Sequence, residues 1–109
     1  MAYDEGLAER LRVLLRQHNN VTEKKMFGGL AFMLNGHMFV GILGERLMAR
    51  VGPAGYADSL RRPHVSEMDF TGKPMKGYVY IAPEGFESDR DLESWVTLCA
   101  RFVSMLPPK

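Results

Sequence analysis

The spacing of apolar residues predicts a helix near each end of the chain. Near the N-terminus, four leucines recur at helical intervals and form one stripe: Leu7, Leu11, Leu14 and Leu15. Ser88 and Asp91 fit a capping box, which predicts that the last helix starts near Ser88. The longest stripe follows it, at successive intervals of three residues or one residue: Leu92, Trp95, Val96, Cys99, Phe102, Val103 and Leu106. Both helices therefore present one apolar face for packing.

Between these helices, short apolar runs separated by turn residues predict a meander of strands. Residues 21–27 form a more polar first strand, and the glycines at 28–29 break or bulge the chain after it. Residues 30–34 and 37–42 follow, joined by Asn35-Gly36, a pair that tolerates the positive φ angles of a type I′ hairpin turn. Both strands are apolar on nearly every residue, so we expect cover on both faces or a contact between copies.

The remaining strands lie further along the chain, at residues 47–51, 65–70 and 77–81. In the strand at 77–81 the two tyrosines face one way, and Val79 and Ile81 face the other. A short helix is predicted after residue 51, because proline at position 53 suits a first helical turn. Its inner face is predicted to hold Tyr56, Ala57 and Leu60.

This order of elements predicts one α+β domain over residues 1–109. The connections are too short for parallel crossovers, so the sheet is expected to be mainly antiparallel, with about five to six strands. The N-terminal and C-terminal helices and one short helix flank it. With 46% apolar and 25% charged residues and a net charge of +1, the composition is that of a globular domain and excludes a disordered chain.

Several features predict a cytoplasmic protein. No run of apolar residues is long enough to span a membrane. The first residues are acidic where a signal peptide would be basic and then apolar. The single cysteine, Cys99, cannot form a disulfide within the chain.

Candidate catalytic chemistry is sparse. His18, His37 and His64 lack partner ligands at metal-binding spacing. Cys99 lies on the apolar stripe of the last helix, where burial raises the pKa of a thiol and makes it a structural residue. The glycine patterns match neither a dinucleotide fingerprint nor a P-loop. We therefore predict no catalytic residue, no metal, no cofactor and no enzymatic activity.

Charge is unevenly distributed along the chain. Residues 46–76 contain six basic and three acidic residues, a net charge of +3, whereas residues 84–93 carry −4. Basic residues next to Tyr78 and Tyr80 are a pattern that binds RNA or single-stranded DNA. The isoelectric point of 7.9 is below the value above about 9 that is typical of nucleic-acid-binding domains. A solvated surface is therefore the favoured interpretation, with direct nucleic-acid binding through residues 46–76 as the alternative.

Three sequence blocks together resemble the TfoX/Sxy N-terminal domain. They are KKMFGGLAF at residues 24–32, LMARVGP at 47–53 and MDFTGKPMKGYVYI at 68–81. The resemblance implies an α+β fold related to small secretion chaperones. It also implies a role like that of the bacterial competence regulators of DNA uptake, which act as partners of a cyclic-AMP-responsive transcription factor and are not known as enzymes.

The resemblance also sets the functional expectations. Those regulators carry a second domain similar to helix-hairpin-helix modules, for which these 109 residues offer no counterpart, so the competence role is not expected to transfer directly. We predict a non-enzymatic interaction domain that acts as a homodimer through a protein partner, such as a transcription factor. A small-molecule or anion site near Gly28-Gly29 and Lys73 is a third hypothesis. Candidate binding residues within the blocks are Phe27, Gly28, Gly29, Arg50, Lys73 and Lys76.

Overall fold

Six antiparallel strands and three α-helices make up the described part of the chain. The computed structural model describes residues 3–26, 28–69 and 75–107. In chain order the elements are α1 (Glu5–Leu15), β1 (Val21–Met26), β2 (Gly29–Leu34), β3 (His37–Leu43), β4 (Arg46–Arg50), α2 (Gly52–Leu60), β5 (Val65–Glu67), β6 (Tyr78–Ile81), a 3-10 turn (Pro83–Phe86) and α3 (Asp89–Ser104). The strands form one sheet in the order β1-β2-β3-β4-β6-β5. The predicted α+β class and antiparallel sheet are therefore confirmed.

Side-chain caps define where the two long helices begin. The Asp4 carboxylate accepts a hydrogen bond from the Gly6 N–H at 2.8 Å, which satisfies a free donor at the start of α1. At α3 the Ser88 hydroxyl accepts from the Asp91 N–H at 3.0 Å, as the sequence pattern predicts. The acidic side chains of these first turns also interact favourably with the helix dipole.

The predicted hairpin and break are both present. Asn35 and Gly36 have φ angles of +54° and +85° and join β2 to β3. The break at 28–29 separates β1 from β2, whereas the bulge lies elsewhere: Phe32 pairs with Val40, and the next residue, Met33, pairs with Met38. Phe39 is thus the extra residue of β3, and it is buried in the same core as Val40.

All three helices pack on one face of the sheet. By alternation, every second strand residue points to this side, including Leu30 and Phe32 of β2 and Ile42 of β3. They meet the leucine stripe of α1 and the long stripe of α3, in which Trp95 is buried. We call this side the helix face and the opposite side the open face. The core on the helix face holds α3 in place across β2, β3 and β4.

Two predictions about the elements between β4 and β6 are wrong. The strand predicted over 65–70 ends at Glu67; Met68 beyond it is buried, and residue 70 lies outside the described residues. In α2, Ala57 is exposed and Ser59 is buried instead. The close approach of the α2 start to the Phe102 ring of α3 decides which side of this short helix faces the core. Local periodicity contains no information about that contact.

Candidate functional site

The open face carries a cluster of methionines and tyrosines. Met48 of β4, Tyr80 of β6 and Met68 are buried there. Four partly buried side chains surround them: Met38, Leu43, Met75 and Tyr78. The Met75 N–H donates to the Met68 carbonyl at 2.8 Å, which holds these two methionines beside each other over the sheet. We call these seven residues the methionine cluster.

Two arginines border the methionine cluster. Arg46 and Arg50 lie two residues on either side of Met48, so strand alternation places both on the open face. The Arg46 guanidinium lies 3.9 Å from the centre of the Tyr80 ring. That of Arg50 lies 5.4 Å from the Tyr78 ring and 5.6 Å from the Phe102 ring of α3, so Arg50 reaches the end of the sheet between the two faces. These distances allow cation–π attraction. The pairing of β4 with β6 creates this arrangement, because it places Met48 opposite Tyr80 and Arg50 opposite Tyr78.

The two ends of β4 differ in charge. Arg46 shares a cavity of about 310 Å³ with the carboxylates of Glu67 and Asp69, so this end is mixed in sign. At the other end, the Gly77 carbonyl accepts from the N–H groups of Val51 and Gly52 at 2.8 and 3.1 Å. These bonds bring the backbone next to Lys76 against the backbone next to Arg50. The Arg50 end of the open face is therefore the more positive one.

The structure divides the six predicted binding residues. Arg50 and exposed Lys76 lie at one end of β4, as just described. Gly29 is the first residue of β2, and Gly28 directly precedes it. Through β3 this end of β2 is level with Arg46, so both glycines lie toward the other end of the sheet. Phe27 and Lys73 lie outside the described residues. The described members thus do not form one site.

Gly28 and Gly29 have structural reasons for being glycine. Gly28 has a φ angle of +74°, a region that side chains other than glycine seldom adopt. A Cβ at Gly29 would collide with the backbone carbonyl oxygen of Ile42 in the neighbouring strand. Their place in the sequence block is therefore explained by the β1–β2 connection and by close strand packing.

Arg46 is the border residue that our sequence reasoning did not select. The signal was present, since Arg46, Met48 and Arg50 alternate with the apolar residues of β4 and therefore share a face. That alternation shows that the three side chains share one face of the sheet, but it does not show which residues of other strands they contact. The rings beneath the two arginines come from β6, whose pairing with β4 was not predicted.

The groups considered for catalysis have packing roles. Cys99 is buried, and burial raises the pKa of its thiol, although a hydrogen bond with the Arg50 backbone acts in the opposite direction. His37 Nε2 donates to the Pro107 carbonyl at 2.7 Å, and the His18 ring lies edge-on to Phe39. Within residues 3–26, 28–69 and 75–107, no three potential metal ligands come together.

Comparison with known families shows to which family this chain is related. The model of the TfoX N-terminal domain matches residues 13–103, which include every described strand, α2 and nearly all of α3, but only the last three residues of α1. The chain belongs to the TfoX N-terminal domain family. The Arg46–Arg50 strand and the β6 tyrosines of this TfoX N-terminal domain both lie within the match. Comparisons with curated proteins and with solved structures gave no significant match.

Membership confirms the resemblance and makes this a domain like that of competence regulators. The TfoX N-terminal domain is not a known enzyme family. Among the described helices, none has the length and apolar character needed to cross a bilayer.

Proposed function

We propose that this TfoX N-terminal domain is a non-enzymatic interaction domain that binds a protein partner through its open face. The methionine cluster with its two bordering arginines carries this proposal. Methionine side chains are flexible and polarizable, so a surface built from them adapts to the shape of a partner. Arginine and tyrosine are also the residue types that contribute most at protein interfaces.

The charge pattern defines the partner's chemistry. Met38, Leu43, Met75 and Tyr78 are only partly buried and offer apolar contact. Beside them, the Arg50 end is positive and exposes Lys76. A segment that presents apolar side chains next to acidic ones would complement both features. A transcription factor that offers such a segment is the partner that the family relationship favours.

Photo-cross-linking in the native host tests the surface. A photoreactive residue replaces Met38 on the open face, and a matched control carries it at Ala57, which is exposed on α2 on the other side of the sheet. We expect a distinct cross-linked protein from position 38 and not from position 57. Equal labelling from both positions, or none from position 38, would overturn the proposed surface.

We further propose that the domain forms a homodimer. Light scattering after size exclusion measures this directly, and the expected mass is twice the monomer mass of 12.3 kDa. A single species of 12.3 kDa at high protein concentration would refute the dimer. The cross-linking experiment remains informative in that case, because a protein partner does not require self-association.

Direct nucleic-acid binding through residues 46–76 remains the second proposal. Arg46 is exposed and can contact a phosphate. The Tyr80 ring is poorly accessible for stacking with a base, because it is only 6% exposed and lies beneath the Arg46 guanidinium. A salt titration separates the proposals, since true binding to nucleic acid weakens steeply with salt. Because the Arg46 guanidinium already covers the Tyr80 ring, we favour the protein partner over nucleic acid.

A further inference from the structure

A groove on the outer side of α3 collects three arginines. Arg62, which follows α2, and Arg90 and Arg101 of α3 line one cavity of about 410 Å³. The hydroxyl-bearing residues Ser94 and Thr97 lie between the two α3 arginines along the helix. This surface is on the helix side of the sheet, away from the methionine cluster. It is therefore a second candidate surface, separate from the open face, and it shares only Arg62 with the 46–76 segment.

Helical geometry explains why these residues share one stripe. Arg90, Ser94, Thr97 and Arg101 are spaced at i, i+4, i+7 and i+11, which places them on one side of the helix. The stripe is opposite the apolar one that faces the core. At 1.5 Å per residue, the two arginines are about 16 Å apart along the axis. One phosphate group is too small to contact both arginines across that distance, whereas a row of anionic groups could contact both.

Arg62 is held in a defined position. Its guanidinium lies 4.0 Å from the centre of the Trp95 ring, a distance typical of stacking. Trp95 is itself buried, and its Nε1–H donates to the Gly85 carbonyl at 3.3 Å. A guanidinium stacked on a fixed ring loses little further freedom when its N–H groups bind a ligand. The Arg62 guanidinium is therefore preorganised to bind an anion.

Charge pairing within the protein does not account for the three arginines. In the described part of the chain, the ion pairs involve Arg10, Arg12 and Arg61, and none involves Arg62, Arg90 or Arg101. Arg90 also lies in the first turn of α3, where the helix dipole disfavours a positive charge. Asp89 and Asp91 in the same turn offset this effect.

We propose that this groove binds the phosphodiester backbone of a nucleic-acid strand. The three guanidiniums would contact phosphates along the strand, and the Ser94 and Thr97 hydroxyls would donate to oxygens of phosphates that lie between Arg90 and Arg101. Glu93 lines the groove, and the exposed Asp89 and Asp91 flank Arg90. These carboxylates oppose binding, so the affinity is modest and sensitive to salt. The site requires no base contact and is therefore indifferent to sequence.

Fluorescence anisotropy with a labelled oligothymidine of about 16 nucleotides tests the proposal. The test variant is Arg90→Gln with Arg101→Gln, and the control, Arg16→Gln with Lys24→Gln, removes the same charge from exposed positions outside the groove and outside residues 46–76. We expect the test variant to bind at least about tenfold more weakly at low salt, as for loss of one charged hydrogen bond. Its salt slope should fall by about 1.4, or about 0.7 for each lost phosphate contact.

Two further arms make the result decisive. Glu93→Gln should bind about twofold to fivefold more tightly, because it removes a repulsive charge from the groove. Inorganic phosphate at the same phosphate concentration should compete poorly. Equal binding by the test and control variants would overturn the proposal, as would the absence of binding at low salt. Strong competition by inorganic phosphate would reveal a pocket for a single anion and would also overturn the proposal. Loss of binding only in an Arg46→Gln and Arg50→Gln variant would overturn it too, because binding would then occur at the open face.

Discussion

The two faces of this sheet use different side chains to achieve burial. The helix face is packed with aliphatic and aromatic residues such as Phe32 and Ile42, which have few rotamers and interlock with α1 and α3. The open face has no helix in the described residues and is covered by methionines, with Arg46 and Arg50 lying on tyrosine rings. One face thus specifies the fold, whereas the other keeps adaptable and charged groups at the surface.

Removal of one large side chain from each face gives the largest expected difference. Phe32→Ala should lower the free energy of unfolding by about 3–5 kcal/mol, because Phe32 is almost fully buried and the core cannot collapse around the cavity. Met38→Ala, at a half-buried site on the open face, should have less than about a third of that effect. Urea unfolding followed by circular dichroism measures both. Equal losses would show that the two faces are equally well specified.

Gly29 tests whether a predicted binding residue is instead a packing residue of the open face. Gly29→Ala should destabilise the domain by about 1–3 kcal/mol, because the new Cβ meets the Ile42 carbonyl. Gly55→Ala is the matched control. It lies inside α2 with room for a Cβ, and should stabilise the domain by about 0.4–1 kcal/mol. Unchanged stability in Gly29→Ala would restore the binding interpretation.

The cation–π contacts of the open face are expected to be weaker. Arg46→Gln should lower the free energy of unfolding by about 0.5–1 kcal/mol, since the guanidinium leaves the Tyr80 ring. Arg61→Gln removes the same charge from an exposed pair with Asp58 and should have an effect below about 0.5 kcal/mol. Comparison of the two urea midpoints measures the difference. If they coincide, the Arg46–Tyr80 contact contributes nothing to stability.

A salt bridge on the helix face should give an effect that is also small and that depends on pH. Arg12 binds Glu23 of β1 through two hydrogen bonds of 2.8 and 2.9 Å, and these lower the pKa of Glu23. Because the pair is partly exposed, Glu23→Gln should cost at most about 1 kcal/mol at pH 7.

The sign of the pH dependence follows from the lowered pKa of Glu23. A carboxylate with a lowered pKa in the folded state stabilises the protein above its unfolded pKa, near about pH 4. That stabilisation is lost as the pH falls through the folded pKa. The difference between the wild type and Glu23→Gln should therefore be largest at pH 7 and disappear under acidic conditions. Thermal unfolding across this range measures it, and a difference that grows in acid would contradict the assignment.

Local patterns in the sequence predicted most of the elements. Strand alternation, the stripes of α1 and α3, the Ser88 cap and the Asn35-Gly36 turn all depend on residues within a few positions of each other. The same locality explains the errors in α2 and β5. In α2 a contact with α3 decides which residues are buried, and beyond β5 Met68 is buried with Met48 and Tyr80 of other strands. The family was also evident from the sequence, because its three blocks occur in order along the chain.

The two candidate surfaces required the tertiary structure. Arg46 and Arg50 meet Tyr78 and Tyr80 only because β6 lies between β4 and β5 in the sheet. Arg62 joins Arg90 and Arg101 only because the end of α2 lies against α3. Pairing between distant segments depends on the packing of whole elements, which periodicity does not encode. The sequence therefore determined which faces exist, and the tertiary structure decided which charged groups those faces bring together.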